Sequence, residues 1–286
     1  MFSESEARYA KGVIIIVGSK GNLSTALQDT LKDMSILMLP SSSIETWLEE
    51  DGERDIESFL LNLSKLPTAI LNATGIINPN EPAGFLNKVN YQLPRNLLTA
   101  ANRFKIPLYT FGSIMERNPQ YITSNNYLAS KRRFKGYIDT LDKSRKENHL
   151  HFLVHTWYGV HTIPPHMFLG QIIESLTRRT KFRMSSGIQM REYHHIQDDM
   201  KVVLNSIQQK EFGVLEINHG NPIELREIAM AVFSHFDSMQ FLEIDSSLDS
   251  VDESRVEFFE GLKVTEPYHF RDQISGIISF IEEQIR

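Results

Sequence analysis

The chain has 286 residues, a formal net charge of −6 and an apolar share of 41%. This length suits one large α/β domain or a nucleotide-binding domain with a smaller lobe, and the apolar share is sufficient for a buried core. The negative charge argues against a general nucleic-acid-binding protein, which usually carries a concentrated basic face. The absence of cysteine excludes disulfides and thiolate chemistry.

No apolar run approaches the roughly 20 residues that a membrane-spanning helix needs. The first eleven residues lack the apolar core of a signal peptide. We therefore expect a soluble, cytoplasmic protein with no membrane partner, whose first residues form a frayed leader.

Residues 13–17 form a continuous run of β-branched side chains that ends at Gly18. Such a run predicts a central parallel strand that is buried on both faces. Apolar residues then recur at helical spacing from Leu23 to Leu31 and predict a helix. Pro94 is expected to kink or split a later helix. The remaining predicted strands cover residues 35–39, 69–73, 107–111 and 151–155, and the remaining predicted helices cover 56–63, 85–104, 126–141, 167–178 and 272–286.

This alternation of strands and helices predicts an α/β fold with a doubly wound parallel sheet. The pattern changes after Gly159, where prolines and irregular segments follow. We expect a nucleotide-binding domain over residues 12–160. Residues 161–286 are expected to form mostly a smaller substrate-binding lobe, with some segments returning to the sheet.

A glycine-containing turn lies between the first predicted strand and the first predicted helix. Glycine at Gly18 and Gly21 permits a tight turn and lets backbone N–H groups approach a pyrophosphate at the helix N-terminus. The spacing is Gly-x-x-Gly-x-x-Ser, so Ser24 stands where a third glycine would be expected. The turn predicts dinucleotide contacts at Gly18, Ser19, Lys20, Gly21, Asn22 and Leu23.

The residues after the second predicted strand bear on the type of dinucleotide. NAD-selective sites usually carry a carboxylate there, which binds the adenosine ribose. Here Ser41 and Ser42 follow Pro40, and the first carboxylate is Glu45. Serine hydroxyls and the ammonium of Lys20 suit a 2′-phosphate, which favours NADP(H) over NAD(H). The alternative is that Lys20 is an ordinary exposed loop lysine.

Tyr127 and Lys131 are four residues apart and project from one face of a predicted helix. An unperturbed tyrosine has a pKa of about 10, and a nearby ammonium favours the phenolate, which improves the tyrosine as a proton shuttle. Ser113 lies fourteen residues before Tyr127, at the end of a predicted strand. There it could hydrogen-bond the reacting oxygen. These three residues are the candidate catalytic set for hydride transfer to or from a carbonyl.

With these motifs, residues 12–200 resemble the extended branch of the short-chain dehydrogenase/reductase superfamily, which contains nucleotide-sugar epimerases, dehydratases and reductases. The resemblance implies an enzyme with a Rossmann-type fold and a nicotinamide cofactor. It implies that Tyr127 is the acid/base and that Ser113 polarises the substrate oxygen. It also implies that Lys131 holds the nicotinamide ribose and lowers the pKa of the tyrosine. The family further suggests a homodimer formed through the helix that carries Tyr127.

The same resemblance implies further cofactor contacts. Residues 72–75 are similar to the segment beside the adenosine end of the cofactor, and an asparagine commonly follows in the next helix. Residues 156–160 resemble Asn-x-Tyr-Gly-Pro beside the nicotinamide, with Thr156 and Val160 in place of the usual asparagine and proline. The implied contacts are Asn72, Ala73, Thr74, Gly75, Asn90, Lys131, Tyr158, Gly159 and Val160.

Residues 191–198 resemble an Arg-Asp-Phe-x-His-Val-Asp-Asp stretch whose arginine helps to hold the diphosphate of a nucleotide sugar. The planar donors of an arginine suit phosphate oxygens, so Arg191 is a candidate substrate ligand. The alternative is a surface ion pair with Glu192 or Asp198. His161 and His166, in the presumed substrate loop, could also contact the substrate.

His194 and His195, with Asp198, have the residue types of metal ligands. Adjacent histidines seldom point at one ion, and no open three-ligand spacing follows them in the chain. We therefore expect no metal.

The residues after Ser113 bear on the reaction. Dehydratases of this branch place Asp-Glu after the catalytic hydroxyl, whereas Ile114, Met115 and Glu116 follow here. The absence of that pair argues against dehydration. The missing carboxylate after the second predicted strand and the presence of Lys20 favour a reductase of a nucleotide-activated 4-keto-6-deoxy sugar, acting in the synthesis of surface-polysaccharide sugars. The alternatives are an NAD-dependent nucleotide-sugar 4-epimerase and a non-catalytic module that binds a dinucleotide.

Overall fold

The computed structural model describes residues 12–117, 125–161, 163–249 and 264–286. The frayed leader expected at residues 1–11 lies outside these ranges. The chain divides into two compact units, one formed by residues up to Val154 together with 200–216, and the other by residues 155–199 together with the chain from Ile217 onward.

The strands are, in chain order, β1 Ile14–Val17, β2 Ile36–Leu39, β3 Ala69–Asn72, β4 Leu108–Ser113, β5 His149–Val154, β6 Thr156–Tyr158, β7 Phe182–Met184, β8 Met190–Arg191, β9 Tyr193–His195, β10 Gly213–Glu216, β11 Ile223–Glu224 and β12 Leu242–Ile244. The α-helices are α1 Asn22–Thr30, α2 Gly52–Leu61, α3 Ala83–Asn87, α4 Leu93–Phe104, α5 Asn126–Thr140, α6 Lys143–Lys146, α7 Phe168–Arg178, α8 Ile196–Gln209, α9 Leu225–His235 and α10 Gln273–Ile285.

The first unit contains a six-stranded parallel sheet in the order β10-β5-β4-β3-β1-β2. β1, β3 and β5 are buried along their whole length, which explains why β1 is a continuous apolar run rather than an alternating pattern. β1 pairs with β2 on one side and β3 on the other, so the chain reverses its direction of winding there. The predicted doubly wound parallel sheet is confirmed, and its switch point lies between β1 and β3.

The chain from residue 83 to 104 is not one continuous α-helix. A π-helical segment, Lys88–Gln92, separates α3 from α4, and Pro94 stands in the first turn of α4. A proline is tolerated in a first turn because the N–H that it lacks would have no partner inside the helix. The prediction that Pro94 would split this helix is confirmed.

Apolar side chains from β1, β3, α2, α4 and α5 form the core on one face of the sheet. Phe134 and Ile138 of α5 are buried in it, and Tyr137 and Leu141 pack against its margin. Helix α5 is therefore fixed against the sheet by its apolar face, which sets the orientation of the opposite, polar face.

The second unit has a core of its own between α7, α9 and α10. Ile172, Val232 and Ile277 lie at its centre, and each is fully buried. Its strands form two-stranded pairs only: β6 with β9, β7 with β12, and β8 with β11. In the described parts of the chain, no helix has the length and apolar character needed to cross a membrane.

Candidate functional site

The turn between β1 and α1 requires glycine at its first position. Gly18 has a φ of +92°, and a Cβ at that position would lie 2.9 Å from Cγ2 of Thr74. Gly21 precedes α1 and has open space beside it. Ser24, which is fully buried, accepts the N–H of Gly21 at 2.9 Å and donates to its carbonyl at 2.8 Å. Ser24, which stands in place of a third glycine, therefore stabilises the turn through its two hydrogen bonds to the Gly21 backbone.

A second turn follows β3 at the neighbouring strand end. The Asn72 Oδ1 atom accepts the N–H of Thr74 at 3.2 Å and the Thr74 hydroxyl at 2.6 Å. Asn90 is buried, and its amide binds both the N–H and the carbonyl of Ile76, at 3.1 and 3.0 Å. Its Nδ2 atom also donates to Ser130 Oγ at 3.1 Å. Asn90 thus holds the chain after Gly75 in place and ties it to α5.

The chain after β2 forms a single helical turn, Ser41–Ser43, whose three serines are exposed. Lys20 is also exposed. The hydroxyls predicted to contact the adenosine ribose therefore lie at the carboxyl end of the strand next to β1, and that turn contains no carboxylate.

These turns fit a dinucleotide. Gly18 to Gly21 follow β1 and Asn72 to Gly75 follow β3, so the two turns flank the switch point at the carboxyl ends of the strands, where ligands of such sheets bind. Gly21, which directly precedes α1, has no side chain that could cap the helix. The N-terminus of α1 and the glycine turn can therefore present N–H groups to a pyrophosphate.

The three candidate catalytic residues meet in the first unit. Ser113 is the last residue of β4, and Tyr127 lies in the first turn of α5, which Asn125 caps by accepting the N–H of Leu128. The Ser113 side chain lies near enough to the Tyr127 hydroxyl to lower its pKa. Lys131 Nζ donates to the Phe111 carbonyl at 2.8 Å.

Lys131 also lies beside the turn after β3, since a Cβ built at Gly75 would be 3.6 Å from its Nζ. The spacing of four residues therefore directs the phenol and the ammonium from one face of α5 to the same edge of the sheet.

The electrostatics of Tyr127 are set mainly by burial. Burial raises the pKa of its hydroxyl, the charge of Glu116 raises it further, and the hydrogen bond from Ser113 lowers it only in part. Burial also lowers the pKa of Lys131, against the effect of Glu116. Desolvation and a carboxylate therefore set the direction of this shift, and the prediction that Lys131 lowers the pKa of Tyr127 stays a prediction.

Glu116 is a residue of this site that the sequence did not identify. It lies in the turn Ile114–Arg117 directly after β4, and its side chain is fully buried. Its Oε1 atom accepts the N–H of Ser113 at 2.6 Å. The available signal was a lone glutamate three residues after the strand-end serine, behind two apolar residues, a position where a solvated charge would be unusual.

The remaining predicted contacts lie in the second unit. Tyr158 is fully buried in that unit's core, and Gly159 has a φ of +70° and leaves no room for a Cβ beside the ring of His195. Val160 is also buried. Inside this unit, therefore, Tyr158 packs in the core, and the glycine is needed for the turn that follows.

Arg191 Nη1 donates to the Met190 carbonyl at 2.7 Å. Of its two alternative ion-pair partners, Glu192 faces a group of histidines and Asp198 accepts the N–H of Arg271 at 3.0 Å. His161 and His166 are exposed. The roles of Arg191, His161 and His166 in substrate binding stay predictions.

The histidines around Glu192 form a buried charge cluster. His194 lies between two carboxylates, with Nε2 3.1 Å from Glu192 and Nδ1 2.7 Å from Asp199. The rings of His155 and His219 stack on it, with centroids 4.9 and 4.6 Å away. His194 therefore groups with Glu192 and Asp199, whereas the sequence suggested a grouping with His195 and Asp198.

Atoms of His155, Glu192 and His194 lie within 4.8 Å of one another, as metal ligands would. Stacked rings, however, direct their nitrogen lone pairs side by side rather than towards one point. Glu192 also accepts the N–H groups of His219 and Gly220, each at 3.0 Å. The arrangement is accounted for as a hydrogen-bonded ion cluster, and the expectation of no metal stays a prediction.

The sequence matches no family model and no curated protein. Solved structures nevertheless share its fold. The dTDP-4-dehydrorhamnose reductase of Clostridium acetobutylicum is 14% identical, with a TM-score of 0.72 over 96% of this chain and 100% of that chain. The dTDP-4-dehydrorhamnose reductase of Bacillus anthracis, in complex with NADP, is 14% identical, with a TM-score of 0.69 over 96% and 98%.

The UDP-glucose 4-epimerase of Thermus thermophilus, in complex with NAD, is also 14% identical, with a TM-score of 0.68 over 94% of this chain and 98% of that chain. At these identities the likeness establishes the fold, which confirms the predicted Rossmann-type architecture.

Substitution of Gly18 tests the dinucleotide site. We expect Gly18→Ala to weaken NADPH binding roughly tenfold or more, because alanine is strained at a positive φ and its Cβ would press on Thr74. Isothermal titration with NADPH measures the effect. Gly136→Ala is the matched control, since a Cβ on that exposed helical glycine meets nothing within 4 Å. Equal affinities in the two variants would contradict the assignment.

The His194 cluster predicts a pH-dependent stability. Burial lowers the pKa of His194, but the charge and hydrogen bond of Asp199, with those of Glu192, raise it from 6.5 to about 9. Because the folded-state pKa is raised, this stabilisation is complete below pH 6.5 and is lost as the pH rises through 9.

We therefore expect urea unfolding to show a fall of up to about 3 kcal/mol across that range. The His194→Gln variant should be less stable at pH 6.5 and less dependent on pH. His235→Gln, which removes an exposed histidine, should retain the wild-type slope. An unchanged slope in His194→Gln would refute this origin.

Proposed function

We propose that the protein is an NAD(P)H-dependent oxidoreductase of the extended short-chain dehydrogenase/reductase type, which reduces the ketone of a nucleotide-activated 4-keto-6-deoxy sugar. The observation that carries this proposal is the placement of Ser113 at the carboxyl end of β4 with Tyr127 and Lys131 on one face of α5, where Lys131 Nζ donates to the Phe111 carbonyl of β4 at 2.8 Å. Such a pair of hydroxyls can bind one carbonyl oxygen together.

In the proposed mechanism, Ser113 and Tyr127 donate hydrogen bonds to the C4 oxygen of the sugar. A bound nicotinamide dinucleotide supplies the hydride for the carbonyl carbon. As negative charge develops on the oxygen, the O–H bond of Tyr127 breaks and the hydroxyl of the product forms. The ammonium of Lys131, on the same face of α5, stabilises the resulting phenolate.

Three observations favour reduction. Burial and Glu116 keep Tyr127 protonated, which suits a proton donor. The Asp-Glu pair of the dehydratases is absent after Ser113. The structural neighbours include two dTDP-4-dehydrorhamnose reductases, and these suggest the keto-sugar class.

Other parts of the proposal rest on the sequence. Arg191, His161 and His166 are proposed to hold the nucleotide sugar. A homodimer through α5, a cytoplasmic location and a role in the synthesis of surface-polysaccharide sugars follow from the resemblance and the composition.

A nucleotide-sugar 4-epimerase is the second candidate, since a neighbour of that activity with bound NAD shares the fold. An epimerase retains its cofactor and returns the hydride, whereas a reductase releases the spent cofactor. Stoichiometric NAD in the purified protein would favour the epimerase, and an empty protein that oxidises added NADPH would favour the reductase.

The functional test is incubation with NADPH and a panel of UDP-, GDP-, CDP- and dTDP-4-keto-6-deoxy sugars, followed by absorbance at 340 nm and analysis of the product. We expect turnover with one member of the panel. Tyr127→Phe should reduce kcat by roughly 100-fold or more while it still binds NADPH.

Tyr137→Phe on the same helix is the matched control, because it loses a hydroxyl whose ring packs beside the core. Near wild-type turnover in Tyr127→Phe would refute the mechanism. NADPH binding without turnover across the whole panel would support a non-catalytic module instead.

Cofactor preference has a separate test. We expect NADPH to bind more tightly than NADH, because Lys20, Ser41 and Ser42 can bind a 2′-phosphate. Ser42→Asp places a carboxylate in that position and should weaken NADPH binding roughly tenfold or more. Ser58→Asp adds the same charge at another exposed site in the first unit and should leave binding unchanged. If NADH binds more tightly than NADPH to the wild type, the preference is wrong.

A further inference from the structure

Glu116 has two carboxylate oxygens in different surroundings. Oε1 accepts the backbone N–H of Ser113 at 2.6 Å, a short contact typical of a charged acceptor. Among the described residues, Oε2 accepts no hydrogen bond and lies 3.7 Å from Nε2 of His151. Both side chains are buried. A carboxylate inside a protein normally has partners for both oxygens, so this pair of facing atoms has to be explained.

The neighbours of His151 indicate where its proton lies. The Thr110 hydroxyl is 2.7 Å from His151 Nδ1 and 2.8 Å from His149 Nε2. A hydroxyl has one proton, so Thr110 can donate to at most one of the two rings. Burial, with His151 nearby, lowers the pKa of His149 to about 3, so that ring is neutral.

If Thr110 donates to His151 Nδ1, the proton of a neutral His151 is on Nε2 and points at Glu116. The opposite arrangement would place a nitrogen lone pair against the carboxylate charge. Electrostatics therefore favour a chain in which His149 donates to Thr110, Thr110 donates to His151, and the N–H of His151 faces Glu116.

The absence of a side chain at Gly112 leaves room for Glu116 and His151. A Cβ at Gly112 would lie 2.5 Å from His151 Nε2 and 2.6 Å from Glu116 Oε1. Both side chains thus approach the backbone of β4 one residue before Ser113. The carboxylate is enclosed by the strand, the turn after it and β5, and is fixed in position by packing as well as by hydrogen bonding.

We propose that Glu116 is a positioning residue for the proposed reductase site: one oxygen fixes the Ser113 peptide and the other faces His151 Nε2 at 3.7 Å, so that a buried negative charge stands beside Ser113 and Tyr127. The inference rests on the proposed function and concerns a carboxylate outside the serine–tyrosine–lysine set. Glu116 acts on the reaction through Ser113 and Tyr127 and does not itself touch the substrate.

The consequence is a pH effect on Tyr127. The groups that face Glu116 are Tyr127 and Lys131 of α5, His151 of β5, and Arg132, whose Nη1 lies 3.4 Å from the Glu116 carbonyl. A fixed negative charge opposes ionisation of a neighbouring phenol. Tyr127 therefore keeps its proton to a higher pH with Glu116 present than without it.

The kinetic test compares Glu116→Gln with the wild type. Glutamine keeps an oxygen for the Ser113 N–H and removes the charge. In the reduction of the keto sugar, we expect the alkaline limb of the kcat profile to move down by about one pH unit or more, with little change in KM. Glu57→Gln, which removes a carboxylate paired with Arg103 in the same unit, is the matched control and should retain the wild-type profile. Identical profiles for the two variants would overturn the proposal.

A second measurement does not depend on turnover. In protein labelled with ¹³C at the tyrosine Cζ, the Tyr127 resonance is assigned by its loss in Tyr127→Phe. We expect it to begin its shift towards the phenolate position at a lower pH in Glu116→Gln than in the wild type. Coincident titrations would overturn the inference even if a substrate is found, and a displacement would sustain it even if the keto-sugar panel gives no turnover.

If Glu116→Gln does not fold, Glu116→Asp provides a second readout. The shorter side chain draws the charge back from Ser113 and Tyr127, so the Tyr127 resonance should again begin its shift at a lower pH than in the wild type. An unchanged titration in that variant would count against the proposal.

Discussion

The parallel alignment of β1, β3 and β4 is the constraint on which the candidate site depends. Because their carboxyl ends lie at one edge of the sheet, Gly18, Asn72 and Ser113 meet there although they are far apart in the chain. Close approach of the first two turns requires the missing side chain of Gly18. Helix α5, held against the sheet by Phe134 and Ile138, then adds the phenol and the ammonium.

Burial disfavours the charged form of ionisable groups in both units, but the net shift of the pKa differs between them. In the first unit burial raises the pKa of Tyr127 and lowers that of Lys131, so the neutral form of each is favoured. In the second unit, His194 is charged because two carboxylates overcome its desolvation. The difference lies in the neighbouring charges, since two carboxylates favour the charged form of His194 and a carboxylate opposes that of Tyr127.

Much of the first unit could be predicted from the sequence because its signals are local. The apolar run of β1, the glycines after it and the spacing of Tyr127 and Lys131 each lie within a few residues. The role of Glu116 could not be predicted in this way. Its burial depends on β5, which brings His151 against it from 35 positions along the chain. The same holds for the cluster of His155, Glu192 and His219, whose members lie in three separate segments.

Asn90 links two segments of the first unit by hydrogen bonds. Its one amide group holds both the chain after Gly75 and Ser130, the residue before Lys131. The turn after β3 and the helix with the catalytic candidates are therefore both hydrogen-bonded to Asn90. Because one side chain makes all of these hydrogen bonds, a displacement of the turn or of the helix breaks the bonds to the other segment as well. The two segments should therefore open to solvent as one cooperative element rather than independently.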